Sequence, residues 1–134
     1  MTHEQIDALP TGPEMDFAVA TILKPQHAAL HKPDNGAPYC ELQRDRFRPS
    51  TDWNDAMFAA ERFGLWTCGK DVGWMGGRFI QPPTLPNEPW RIGEWAETCQ
   101  EVGSWLPAEP TGPLAISRAI LVIAARKDQN ANAT

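Results

Sequence analysis

The chain has 134 residues, one domain's worth of protein and enough to bury about two thirds of the surface it exposes when unfolded. Apolar residues at 42% and charged residues at 22% exclude a wholly disordered chain, and no apolar run reaches the ~18 residues of a membrane span. Twelve Lys and Arg against seventeen Asp and Glu leave a net charge of -5, which argues against non-specific grip on a nucleic-acid backbone, and no membrane partner is expected either.

In chain order, the sequence predicts a single α/β domain over 1–128 with Pro-rich insertions at 24–49 and 81–103, and a polar, frayed tail at 129–134. Thr11 and Glu14 have capping-box spacing, and Met15, Val19 and Ile22 then recur on one face, so a first helix runs from about Gly12 to Leu23. Residues Lys24 to Pro49 carry four prolines among many polar groups and read as a connection. Ser50, Thr51 and Asp52 are candidate caps for a second helix, in which Trp53, Met57, Ala60 and Phe63 form a stripe that stops at Gly64.

Leu65–Gly69 and Trp74–Ile80 then flank a short loop and suit a hairpin. That pairing sets Trp66 opposite Gly77 and Cys68 opposite Met75, on one core face with Phe79, and turns Trp74, Gly76 and Arg78 to the other side beside Thr67. Gln81–Pro89 holds four prolines and reads as a rigid surface excursion. Ile92, Trp95, Ala96, Cys99 and Val102 follow a helical period, so a short helix is expected there, with a short strand near Ser104–Pro107. Thr111 opens the third helix, where ten of the twelve residues from Leu114 to Ala125 are apolar; it is expected to be the most buried element, packed on the Trp66, Cys68 and Phe79 face. The fold class is α+β, a layered α/β/α sandwich with a small, mainly antiparallel sheet and three principal helices.

Three segments carry a resemblance: the helix over Pro13–Ala20, the Pro49–Ala56 stretch that opens the second helix, and above all Ala108–Ile120, with its acidic approach, threonine cap, Pro113–Ile116 and Arg118. Together the chain resembles the phage ABA-sandwich domain family of small phage and prophage proteins. The resemblance implies the layered fold and a phage accessory role, hence a bacterial host cell, but no assigned chemistry. The absence of a basic stretch followed by an apolar one after Met1 fits a cytoplasmic protein.

Candidate chemistry is sparse. Cys40, Cys68 and Cys99 are odd in number and widely spaced, unlike a disulfide framework or a zinc ribbon, and read as spectator thiols in a reducing compartment. His27 and His31 would share a helical face with Cys40 nearby, yet no fourth ligand follows, so neither a metal nor a cofactor is expected. Asp52 and Asp55 stand in a first helical turn, where capping accounts for them without catalysis. Gly73–Gly77 lacks the Lys-Ser/Thr of a P-loop and the spacing of a dinucleotide fingerprint.

Tryptophan is the anomaly, six of them against one tyrosine. Packing accounts for Trp66, Trp53 and Trp95, whereas Trp74 and Trp90, each near an arginine, are harder to bury. An indole beside a guanidinium holds a planar anionic ligand or anchors a protein interface. The candidate ligand-binding residues are therefore Trp74, Arg78, Trp90 and Arg91, with Asp52 and Trp53 beside them, and no catalytic residue is expected. The sequence thus reads as a non-enzymatic anti-defence sponge that sequesters a small nucleotide immune signal. The alternatives are an inhibitor of a host protein by direct contact, with a homo-oligomer possible, and a nucleotide hydrolase built around Asp52 or Asp55.

Overall fold

A computed structural model describes residues 1–66, 77–95 and 102–132. In chain order these form α1 (His3–Ala8), α2 (Pro13–Leu23), β1 (Ala28–His31), β2 (Tyr39–Leu42), β3 (Asp45–Arg46), α3 (Trp53–Phe63), β4 (Arg78–Gln81), β5 (Arg91–Trp95), β6 (Val102–Trp105) and α4 (Gly112–Asn132). Among the described residues the strands make two antiparallel three-stranded sheets, ordered β1-β2-β3 and β4-β5-β6, and the protein is a mixed α+β sandwich.

Three of the four described helices start where a side chain caps a free amide of the first turn. A capping box does form, but on α1: Gln5 N donates to Thr2 Oγ1 at 3.1 Å and Thr2 N to Gln5 Oε1 at 2.8 Å. The one expected from Thr11 and Glu14 does not. There α2 opens on Gly12 at φ 142 with Pro13 at its first position and no side-chain cap; Gly12 N donates to Ser50 Oγ, 3.2 Å away on the approach to α3. Asp52 caps α3 by accepting from Asn54 N and Asp55 N, and Gly64, in the left-handed region at φ 77, ends it. Thr111 Oγ1 accepts from Leu114 N at the start of α4, which runs well beyond Ala125.

The strands hold most of the corrections. The stretch from Lys24 to Pro49, read as a connection, carries the first sheet, with Leu30 opposite Cys40 and Ala28 opposite Leu42. Its prolines fall between strands, at Pro33 and Pro38, where they remove no ladder amide. His31 is therefore a strand residue and shares no helical face with His27; its ring stacks on Tyr39 at 4.9 Å and its Nε2 lies 3.2 Å from Glu41 Oε2.

Leu65 and Trp66 form a turn after α3, and the rest of the expected hairpin, including Cys68, Trp74 and Met75, lies outside the described residues. β4 pairs instead with β5, Ile80 opposite Ile92, across the Pro-rich loop. Residues 91–95 are accordingly a strand and not the expected helix, while β6 occupies the place of the expected strand near Ser104.

The third long helix is indeed the most buried element: Leu114, Ala115, Ile116, Ala119, Ile120, Leu121, Val122 and Ile123 are all buried. Around α4 pack Ala56, Ala59 and Ala60 of α3, Met15 and Val19 of α2, and Ile92 of β5, while the first sheet lies on α2. Arg118, buried in that helix, donates to Ile6 O and, at 3.3 Å, to Leu9 O, and its Nε is ion-paired with Glu109 Oε1. The acidic approach and the arginine of the Ala108–Ile120 segment thus form one ion pair, and the same arginine, through its bonds to Ile6 O and Leu9 O, fastens the end of α1 to α4. No helix among the described residues is long and apolar enough to cross a membrane.

Candidate functional site

Alternation along β4 and β5 sorts their side chains onto two faces. Ile80 and Ile92 sit side by side toward the core, and Arg78 and Glu94 are the next pair along the same face. Arg78 Nε lies 3.1 Å from Glu94 Oε2, and the other oxygen of that carboxylate accepts from Arg126 of α4 at 2.7 Å and from the Ser104 hydroxyl at 3.1 Å. Burial works against ionisation of Glu94, but the two guanidiniums and the hydroxyl outweigh it and hold the group below the ordinary carboxylate range. Glu94 thereby fastens the second sheet to α4.

The opposite face is aromatic. Phe79, Gly93 and Trp105 lie in one row across the three strands, and Phe79 packs against Trp95 at 4.7 Å and, edge-on, against Trp105 at 5.6 Å between ring centroids. The row requires glycine at its centre: a Cβ at position 93 would collide with Phe79 Cζ and stand 3.1 Å from Trp105 Cζ3. Trp95 and Trp105 remain 38% and 42% exposed. The Arg91 guanidinium lies 5.7 Å from the centre of the Trp105 ring, within cation–π range.

Arg91 also walls a polar notch of about 250 Å³, with Gln81, Thr84 and Glu88 around it and Pro82 and Pro89 at its sides. Glu88 Oε2 accepts from Thr84 N at 3.0 Å and from Thr84 Oγ1 at 2.8 Å. These two bonds, with smaller contributions from the Leu85 backbone and then Arg91, hold the Glu88 carboxyl below its ordinary range. The site is thus an aromatic platform that continues, through one arginine, into a notch lined by donors and acceptors.

Of the residues the sequence nominated, only Arg91 belongs to this arrangement, and its indole is Trp105 and not Trp90. Trp74 lies outside the described residues. Arg78 faces α4 and is engaged by Glu94, the reverse of the expected parity, as Phe79 leaves the core for the platform. Trp90 is half-buried: its backbone bridges to Glu109 and its ring meets Trp53 at 5.0 Å. Trp53, 44% exposed, lies over Gly112 at the start of α4, and Asp52 is occupied as the cap of α3. Asp55 accepts from Arg48 N at 2.8 Å.

Phe79, Trp95 and Trp105 are the residues sequence reasoning missed. Their signal was the period of two in Arg91, Gly93 and Trp95, masked by the helical period of Ile92, Trp95 and Ala96.

Cys40 is 1% exposed, and burial, with the carboxylates of Asp16 and Glu41, pushes its thiol up to about 12. Among the described residues no three His, Cys, Asp or Glu side chains form a metal-holding group. Comparison with protein-family models, curated proteins and solved structures finds no match to the chain.

Proposed function

We propose that this is a non-enzymatic binding protein that holds a small ring-bearing ligand on the platform of Phe79, Trp95 and Trp105. The observation that carries the reading is the row across Gly93, where three rings and the Arg91 guanidinium meet on an open sheet face. Aromatic stacking contributes roughly 1–3 kcal/mol per base when a nucleobase lies on such a ring, which supports the nucleotide-sequestering version. The resemblance of Ala108–Ile120 supports a phage accessory, anti-defence role in the host cytoplasm. A second reading, inhibition of a host protein by direct contact, draws on the same exposed Trp95, Trp105 and Arg91, the residue types that dominate interface hot spots.

Incubating the protein with cyclic and ADP-ribose-derived nucleotides, and measuring free nucleotide before and after heat denaturation, separates the readings. Depletion with full recovery on heating is the expected result. Conversion to product would replace it with the hydrolase, and no depletion at micromolar protein would move the assignment to protein contact. Trp105→Ala and Arg91→Ala should each weaken binding about tenfold or more with little change in melting temperature. Trp90→Ala, in contrast, should lower the melting temperature, because that ring is packed against the core.

A further inference from the structure

The notch beside the platform carries an opposed pair of charges, and that pair constrains what lies on the rings. A site that grips phosphate gathers cations without an adjacent carboxylate. Here Arg78, the other guanidinium of the sheet, is engaged by Glu94 on the other face, and Arg91, on the platform side, lines the notch together with Glu88 and acts on its carboxyl electrostatically. A phosphate drawn to Arg91 would therefore meet a carboxylate as well.

Glu88 is also the best oriented group there. Both of its hydrogen bonds from Thr84 arrive at Oε2, and the Leu85 backbone adds a weaker one to the carboxylate; together they orient a group that still has acceptor lone pairs for a ligand. On the same sheet face Gln81 is the cross-strand partner of Arg91, and neither side chain makes a hydrogen bond or ion pair among the described residues. The notch thus offers an ionised acceptor, a cationic donor and an amide that does both. Two adjacent hydroxyls match that set: one donates to the Glu88 carboxylate, and the oxygen of the other accepts from Arg91. A flat face joined to the diol then reaches the Trp105 ring, because Arg91 borders both.

The geometry points to a vicinal diol, joined to a face that stacks on Trp105, as the group this site reads, with Glu88 and Arg91 as its diol clamp. This rests on the platform being the binding site and specifies what the ligand presents to it. A nucleoside ribose and a neutral oligosaccharide both supply that chemistry, and the test distinguishes them.

Intrinsic tryptophan fluorescence of the full chain is titrated with adenosine, 2′-deoxyadenosine, AMP and maltohexaose. Adenosine or maltohexaose should quench saturably, and whichever does so identifies the source of the diol. If the source is the nucleoside, 2′-deoxyadenosine should bind about tenfold or more weakly, as expected when a hydrogen bond to a charged group is lost. With the 2′-hydroxyl as the donor to Glu88, Glu88→Gln should weaken the diol ligand by a similar factor while leaving 2′-deoxyadenosine unaffected, and Trp105→Ala should weaken every ligand that binds. AMP binding more than tenfold tighter than adenosine, and tightening again in Glu88→Gln, would overturn the diol clamp and assign a phosphate site, leaving the platform in place. Failure of all four probes when the nucleotide panel binds overturns the clamp alone; failure of both sets overturns the platform reading with it.

Discussion

Among the described residues, Arg118, with its partner Glu109, and Asp16 place charged groups in the core, with different consequences. Arg118 and Glu109 keep about a tenth of their side-chain surface, so removing one partner strands the other charge in a poorly solvated place. Arg118→Ala should cost about 3–5 kcal/mol in urea unfolding. Arg118→Met combined with Glu109→Leu should cost less than Arg118→Ala, since neither charge is then left behind; a double variant as unstable as the single would mean that the bonds to Ile6 and Leu9 dominate. Asp16 is 2% exposed and accepts from Ser50 N at 2.8 Å. Burial raises its pKa, and the bonds from Ser50 only partly oppose that. Between the ordinary carboxylate value and the raised one, the folded chain holds a proton that the unfolded chain releases, so this group's contribution to stability falls as pH rises through that window and levels off above it. Asp16→Asn retains an oxygen for Ser50 and should remove that slope from the pH dependence of the urea midpoint. Equal slopes in the two proteins would locate the titration elsewhere.

At the level of elements, Gly93 in β5 offers the sharpest test. Gly93→Val would drive Phe79 off the row and separate it from Trp105, and overpacking of this kind costs about 1–3 kcal/mol. The expected signature is a shifted tryptophan emission with weakened ligand binding in a protein that still unfolds cooperatively. Unchanged emission would mean that the rings accommodate the side chain. The three long helices were legible because their signals are local: Asp52 before the Trp53 stripe, Gly64 after it, and the apolar run from Leu114 all act within a few residues; α1 went unread because its Thr2–Gln5 box precedes only six helical residues, of which Ile6 alone is buried. The strands were not legible, because pairing is decided by partners far along the chain, and prolines at 25, 33, 38 and 49 conceal the short alternations of β1 and β2. Parity failed for a physical reason. A charged Arg78 and an apolar Phe79 suggest arginine out and phenylalanine in, but Glu94 and Arg126 make an ionic niche under the sheet, and Phe79 finds two indoles above it. Arg91 was the part of the site within reach of the sequence, since a cation beside tryptophans is visible there; which indole it meets is settled only by pairing.

For the molecule as a whole, Cys40 reports opening of the core. A thiol 1% exposed and pushed up to about 12 presents almost no thiolate at neutral pH. Iodoacetamide should leave the Cys40 peptide unmodified in native protein at pH 8 and label it fully in denaturant, as read by mass spectrometry. Rapid native labelling would show that the first sheet opens without global unfolding. Two sheets of this size also place different demands on insertions and deletions. Successive residues of β5 serve the core, the platform floor, the Glu94 anchor and the platform again, so one added or lost residue within Ile92–Trp95 exchanges inward for outward groups on one side of the change, in a ladder to β6 that already carries a register shift at Glu94 and Trp95. The Pro-rich loop from Pro82 to Pro89 is under no such rule, because its length changes without altering which way a strand residue points. Length variants of this protein that still bind should therefore differ freely in that loop and, inside β5, not by a single residue.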